Sequence, residues 1–249
     1  MTKQKFIATL TLGVCLAFSS SFASGKNSKW SYSGIKGPEY WGNIDKLYHM
    51  CKKGKNQSPI DITSTIESNL KPIIFSSIAT SSNIINNGHT VQVNVPKLNS
   101  IIIDEITYDL LQFHFHSPSE NRINGINYPV EVHLVHADKN GNLVVIGIMF
   151  KAGSKNEAIQ KLWNQMPTHV GDKHNLEAEI KPYNLLPKSK EYYKFNGSLT
   201  TPPCSEGVKW LVMKDSIEMS KTQISQFEAI LSEKNNRPLQ PKNARVILH

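Results

Sequence analysis

The chain has 249 residues, 39% hydrophobic and 19% charged, with a formal charge of +8. That is enough apolar material to bury a core, and the balance excludes the low-hydrophobicity, high-charge regime in which chains stay disordered. The lysines are scattered (Lys52, Lys53, Lys55, Lys151, Lys155, Lys188, Lys190) and are not interleaved with aromatics, which argues against a nucleic-acid surface.

The N-terminus reads as an export signal: Lys3 and Lys5 give a basic start, 6–18 is an apolar run, and Ser21-Phe22-Ala23 is a small-x-small cleavage site. Residues 1–23 are therefore expected to be removed, leaving one domain over 24–249. The apolar run falls short of the roughly 18–20 residues of a spanning helix, so no membrane span is expected after cleavage. Cys15 suggests a lipid anchor, but Val14 stands where a lipid-attachment box needs a small residue. Cleavage removes Cys15 and leaves Cys51 and Cys204, which in an oxidising compartment most simply form one disulfide; two buried thiols are the alternative.

No repeat or low-complexity linker divides the rest of the chain. Alternating and β-branched runs predict strands at 90–95, 100–103, 111–116, 130–135, 143–150 and 208–213. Helical patterning is confined to 156–165 and to 220–231, the second opened by a cap at Ser220 or Thr222. The sum is a mainly β domain with short helices, built around a large sheet.

The strongest chemical signal lies on two of these strands. Residues two apart on a strand share a face, so His114 and His116 project together while Phe113 and Phe115 face the opposite, apolar side. His133, on the next strand, can return a third imidazole to the same surface. Three histidines leave the fourth tetrahedral position of zinc open, the arrangement of a catalytic site. Gln112 and Glu131 each stand two residues before a histidine, on the corresponding face, where a ligand's second ring nitrogen needs a partner. His136, three residues beyond His133, points to the other face and reads as structural. The competing reading is a set of sheet-face histidines satisfied by hydrogen bonds. Against it, two such side chains flanked by buried phenylalanines are costly to bury without something coordinated.

The strings QFHFHSPSE (112–120), VEVHLVH (130–136) and GSLTTPPCSEGVKW (197–210) resemble the motifs of alpha-class carbonic anhydrases. So do GPEYWG (37–42), KNQSPIDI (55–62), NNGHTVQV (86–93) and RPLQPKN (237–243). The resemblance implies one domain around a large, mostly antiparallel, twisted β-sheet and reversible hydration of carbon dioxide to bicarbonate. It implies Zn2+ held by His114, His116 and His133, with Gln112 and Glu131 behind them. Zinc-bound hydroxide would then attack carbon dioxide, oriented by Thr200, whose hydroxyl donates to Glu120. By motif position, Val135, Val145, Leu199, Val208 and Trp210 form an apolar wall for the substrate, and Thr201 contacts bicarbonate. His89 matches the proton shuttle, with Tyr32 and Asn87 ordering the intervening water; His49, His169 and His174 are rival relays.

Two departures matter. Asn121 follows Glu120 where many vertebrate members carry a histidine, which puts local packing there in question. The Cys51–Cys204 pair resembles the bacterial branch, in which a disulfide braces the segment holding Leu199, Thr200 and Thr201. Together with the export signal this reads as a secreted, periplasmic protein, and because bacterial relatives often pair, the resemblance leaves a homodimer open. Two other functions are open to such a chain: a recognition module that has lost its metal, and a zinc-sequestering protein, which wants a closed four-ligand site. Ester hydrolysis would be side chemistry of the same centre.

Overall fold

The computed structural model describes residues 29–249; the expected leader at 1–23, with Cys15, lies outside them. Thirteen strands are present among the described residues: β1 (Asp61–Ile62), β2 (Ile74–Ser77), β3 (Asn83–Asn86), β4 (Val91–Asn94), β5 (Asn99–Ile103), β6 (Ile106–His116), β7 (Arg122–Ile123), β8 (Val130–Ala137), β9 (Leu143–Ala152), β10 (Lys173–Asn175), β11 (Tyr192–Ser198), β12 (Glu206–Met213) and β13 (Ile217–Met219). The α-helices are short: α1 (Trp41–Ile44), α2 (Met50–Lys53), α3 (Glu157–Trp163) and α4 (Lys221–Glu228).

Eleven strands form one sheet in the order β10-β3-β4-β6-β8-β9-β12-β11, with β5 beside β6, β2 beside β5, and β13 beside β9. Within it only β12–β9 and β13–β9 run parallel, so the sheet is mostly antiparallel. All six expected strands form. β6 starts at Ile106 and not at 111, because the run continues through a register shift between Leu110 and Gln112. The strands that sequence patterning missed are short or lie at an edge. β3 (NIIN) has two apolar residues, and β11 interrupts its alternation with Lys194, Asn196 and Gly197.

The sheet separates two apolar cores. One face carries Phe113, Phe115, Val132, Leu134, Ile146 and Ile148, over which α3 and α4 lay Ile159, Leu162, Trp163, Ile224 and Phe227. The second helix is capped at Ser220, one of the two expected positions, and the first starts one residue after 156, with Asn156 as its cap. Asn156 Oδ1 accepts from Ile159 N at 3.1 Å. Ser220 and Gln223 form a reciprocal capping box, an arrangement that satisfies two otherwise orphaned donors. Gln223 also exchanges two hydrogen bonds with the Asn156 main chain, so one buried amide locks both helix starts together. The opposite face holds a smaller core of Ile60, Val145, Met149, Phe195, Val208, Trp210 and Val212.

Cys51 and Cys204 are bonded, across a sequence separation of 153 residues. Among the described residues, no helix is long and apolar enough to cross a membrane.

Candidate metal centre

Strand register builds the centre. Across the antiparallel β6–β8 pair, Gln112 faces Val135, His114 faces His133, and His116 faces Glu131. Because alternate residues share a face, the three imidazoles and their two partners converge on the side away from Phe113 and Phe115. One candidate ligand atom from each of His114, His116 and His133 lies within 4.8 Å of the other two, the one such cluster among the described residues.

The second nitrogen of each ring selects the tautomer. His114 Nδ1 lies 2.9 Å from Gln112 Oε1, and His116 Nδ1 2.6 Å from the main-chain oxygen of Asn235. Oxygens of this kind only accept, so both Nδ1 atoms carry the proton and both Nε2 atoms keep a lone pair. In His133 the roles reverse: Nε2 lies 2.9 Å from Glu131 Oε1, close in distance though poorly aligned for a hydrogen bond, which leaves Nδ1 facing the cluster. Burial holds all three rings below the usual histidine range, with the neighbouring imidazoles adding to the shift at His114 and His133. Neutral, converging lone pairs are what a metal ion needs. His116 Nε2 and Glu120 Oε2 are buried without a hydrogen-bond partner, as expected of atoms arranged around a cation and its solvent. The donor set therefore fits a zinc-type ion.

Behind the ligands, Glu131, Asn121, Glu120 and Arg237 are linked by buried hydrogen bonds. Glu131, fully buried, accepts from the main-chain N–H groups of Glu120 and Asn121 at 2.9 and 2.8 Å and from Asn121 Nδ2 at 2.8 Å. Asn121 also accepts from Ile60 N at 3.0 Å, so the residue whose packing was in question is a satisfied clamp on Glu131. On β9, a Cβ on Gly147 would meet Glu131 Oε1 at 3.0 Å, so the carboxylate's seat requires glycine's close approach. Glu120 Oε1 accepts the main-chain N–H of Arg237, and Oε2 lies 3.5 Å from His116 Nε2 and 3.8 Å from His133 Nδ1. Burial pushes the Glu120 carboxyl up to about 8, against the pull of the Arg237 N–H and the Thr200 hydroxyl. A cation beside it favours the ionised form.

Asn235 and Arg237 were not identified from sequence. Asn235 offers its main-chain oxygen to His116, its Oδ1 to Ser117 N, and its Nδ2 to the main-chain oxygens of His89 and Phe115. Arg237 is buried and donates to Gln57 Oε1, Ser58 O and Cys51 O. Both lie in an irregular stretch without periodicity. The one available signal was the RPLQPKN string, which opens at Arg237 and says nothing of partners.

The expected wall residues Val135, Val145, Leu199, Val208 and Trp210 all belong to the smaller core or pack against it. Trp210 meets His133 edge-on, with ring centroids 4.8 Å apart. Thr200 is buried and Thr201 half-buried, on a turn closed by Leu199 N to Ser205 O and Cys204 N to Thr201 O. Gln57 Nε2 donates to Cys204 O at 3.0 Å, so the turn is tethered by this bond as well as by the disulfide.

His89 stacks on Trp30, centroids 3.7 Å apart and planes 5° from parallel, and stands edge-on to Tyr32 at 6.3 Å. Burial lowers its pKa, with Glu233 acting in the opposite sense. Asn87 Oδ1 accepts from His89 N and Thr90 N, so that oxygen is committed to the turn presenting the imidazole. Burial raises the Tyr32 phenol well above its ordinary range, and Glu120 and Glu233 add to this. His136 lies on the other face of β8, its Nδ1 3.0 Å from Leu134 O and its Nε2 3.2 Å from the Tyr183 hydroxyl.

Fold and site together define a mainly β protein with a three-histidine cluster able to hold a metal ion. The model of the eukaryotic-type carbonic anhydrases matches residues 36–249. A carbonic anhydrase of Pectobacterium atrosepticum is 42% identical over 247 residues, covering 99% of this chain and 100% of the relative. One from Neisseria gonorrhoeae is 43% identical over 248 residues, covering 99% and 97%. The alpha-carbonic anhydrase of Thermovibrio ammonificans, solved with the inhibitor sulfanilamide, superposes with a TM-score of 0.87 at 47% identity, covering 88% of this chain and 98% of that one. The chain belongs to the eukaryotic-type, or alpha, carbonic anhydrase family and is an enzyme of that class.

Proposed function

We propose that the protein reversibly hydrates carbon dioxide at a zinc ion held by His114 Nε2, His116 Nε2 and His133 Nδ1. The observation that carries this reading is the convergence of three neutral imidazoles whose other nitrogens face protein oxygens. When bound, zinc supplies Lewis acidity that makes hydroxide available from water near neutral pH.

The chain's own residues do the rest. Uncharged ligands leave the metal's charge undiluted, and Gln112, Glu131 and the Asn235 carbonyl keep each ring turned toward the ion. An ionised Glu120 can only accept, so the Thr200 hydroxyl donates to it and presents its lone pairs to the attacking oxygen. Nucleophile orientation is thereby fixed. Val135, Val145, Leu199, Val208 and Trp210 give an apolar substrate a dry surface, and Thr201 contacts bicarbonate. His89 receives the proton that each turnover releases; its lowered pKa keeps it neutral and ready to accept. Tyr32 stays protonated at neutral pH and offers a polar group beside it.

Residues 1–23 are read as a signal peptide and 24–249 as the mature domain, exported to the periplasm. The Cys51–Cys204 bond supports this, because such bonds persist in oxidising compartments.

Stopped-flow hydration of carbon dioxide tests the assignment. The mature chain should be active, should lose activity on chelation, and should regain it with zinc; His116→Ala should stay inactive at matched zinc. Full activity in a metal-stripped sample sinks the proposal.

A further inference from the structure

Glu233 stands in the irregular segment that follows α4, and the chemistry above gives it no role. Its Oε1 accepts the main-chain N–H of Tyr32 at 2.7 Å, joining the two ends of the described chain. Tyr32 belongs to an aromatic cluster: Trp30 meets it edge-on at 5.3 Å and meets Trp41 edge-on at 5.1 Å, while Tyr32 and Trp41 are 5.9 Å apart. His89 joins that cluster, lying flat on Trp30. Two residues beyond Glu233, Asn235 Nδ2 donates to the His89 main-chain oxygen at 3.0 Å. One short segment thus grips the histidine's backbone directly and its stacking partner through Tyr32.

We propose that Glu233 is a positioning residue for proton transfer, its carboxylate holding the 30–32 segment so that Trp30 fixes the His89 imidazole in its stacked place. The inference rests on the reading of His89 as the relay. A charge beside the ring fits the same role, since Glu233 favours the protonated imidazole that burial disfavours. The hydrogen bond sets position and the charge eases arrival of the proton.

The test uses the zinc-loaded mature chain and the variants Glu233→Ala, Glu233→Gln and His89→Ala. Two quantities are read: carbon dioxide hydration in weak and in strong imidazole buffer, and the NMR shifts of the His89 ring protons. A stacked indole moves those protons upfield by its ring current. In Glu233→Ala the upfield displacement should collapse, and kcat in weak buffer should fall about tenfold, as expected for a misplaced catalytic group. kcat/KM should hold, because the hydration step precedes proton release, and strong imidazole buffer should restore kcat by taking the proton itself. Glu233→Gln keeps an acceptor for the Tyr32 N–H and should retain the displacement and most of kcat.

Unchanged ring shifts and kcat in Glu233→Ala, with His89→Ala impaired, overturn the inference and leave the relay standing. A fall of kcat and kcat/KM together, unrescued by buffer, reduces Glu233 to a structural prop and overturns it too. Undiminished kcat for His89→Ala in weak buffer removes the relay, and the inference with it.

Discussion

Two histidines on one strand show how little separates a ligand from a core residue. His133 and His136 both lie on β8 and both are buried, yet they sit on opposite faces. The first turns a nitrogen toward two other imidazoles, whereas both nitrogens of the second face oxygens, those of Leu134 and Tyr183. Burial drives the His136 pKa down to about 3. The ring is therefore neutral in the fold and takes up a proton only on unfolding once the pH drops below about 6.5. The unfolded state binds more protons in that window, so stability is complete above it and falls as pH decreases toward 3. Each pH unit costs up to about 1.4 kcal/mol from this group alone. Urea midpoints measured at about pH 7 and about pH 4 should differ less for His136→Gln than for the parent, because the other buried histidines are common to both. Which histidines share a face was legible from spacing alone. Asn235 was not, because its role rests on a main-chain oxygen reaching back across 119 residues to His116 and on an amide that bonds Ser117, Phe115 and His89.

At the scale of elements, the centre depends on the register between β6 and β8. A slip of one residue would send His114 and His116 into the phenylalanine face. The register shift between Leu110 and Gln112 lets the first part of β6 pair with β5 and the second part present the ligands. The long strands and both capped helices were readable because their apolar period is strong; α1 and α2, a single turn each, carry no such period. The Thr200 turn is a different case: it lies outside the ladders and is held by two main-chain bonds of its own and, at Cys204, by Gln57 and the disulfide. Cys204 itself sits at φ 57, a left-handed conformation that non-glycine residues adopt at a cost. Opening the disulfide frees a loop of 153 residues in the unfolded chain, worth up to about 5 kcal/mol in the chain-entropy account. Reduction should therefore lower the thermal midpoint. It should lower hydration activity as well, even at temperatures where the reduced protein is still folded by circular dichroism. Full activity of such a sample would show that the turn holds without its bridge.

Over the whole molecule, the sheet divides labour between its faces. The larger core is roofed by α3 and α4, while the smaller core carries Trp210, which meets His133, and would supply the proposed substrate wall. The three-histidine cluster lies on the face of the smaller core and exists only in the folded chain, so an ion bound there would add to stability by mass action. With free zinc 100-fold above its dissociation constant, the gain is about 2.7 kcal/mol. Calorimetry should show the midpoint rising with zinc in the parent and failing to rise in His116→Ala. An equal rise in both would place the stabilising ion elsewhere.

The groups that steady the centre arrive late along the chain. The ligands stand at 114, 116 and 133, but the carbonyl that orients His116 belongs to Asn235, and the N–H that seats Glu120 belongs to Arg237. In a chain made from its N-terminus, this stretch emerges after every strand of the sheet. The β6–β8 pairing that brings the imidazoles together is complete without this stretch, but the bonds that orient His116 and seat Glu120 are not. A protease cut just behind α4 would leave the sheet its strands and strip the enzyme of its finishing clasp.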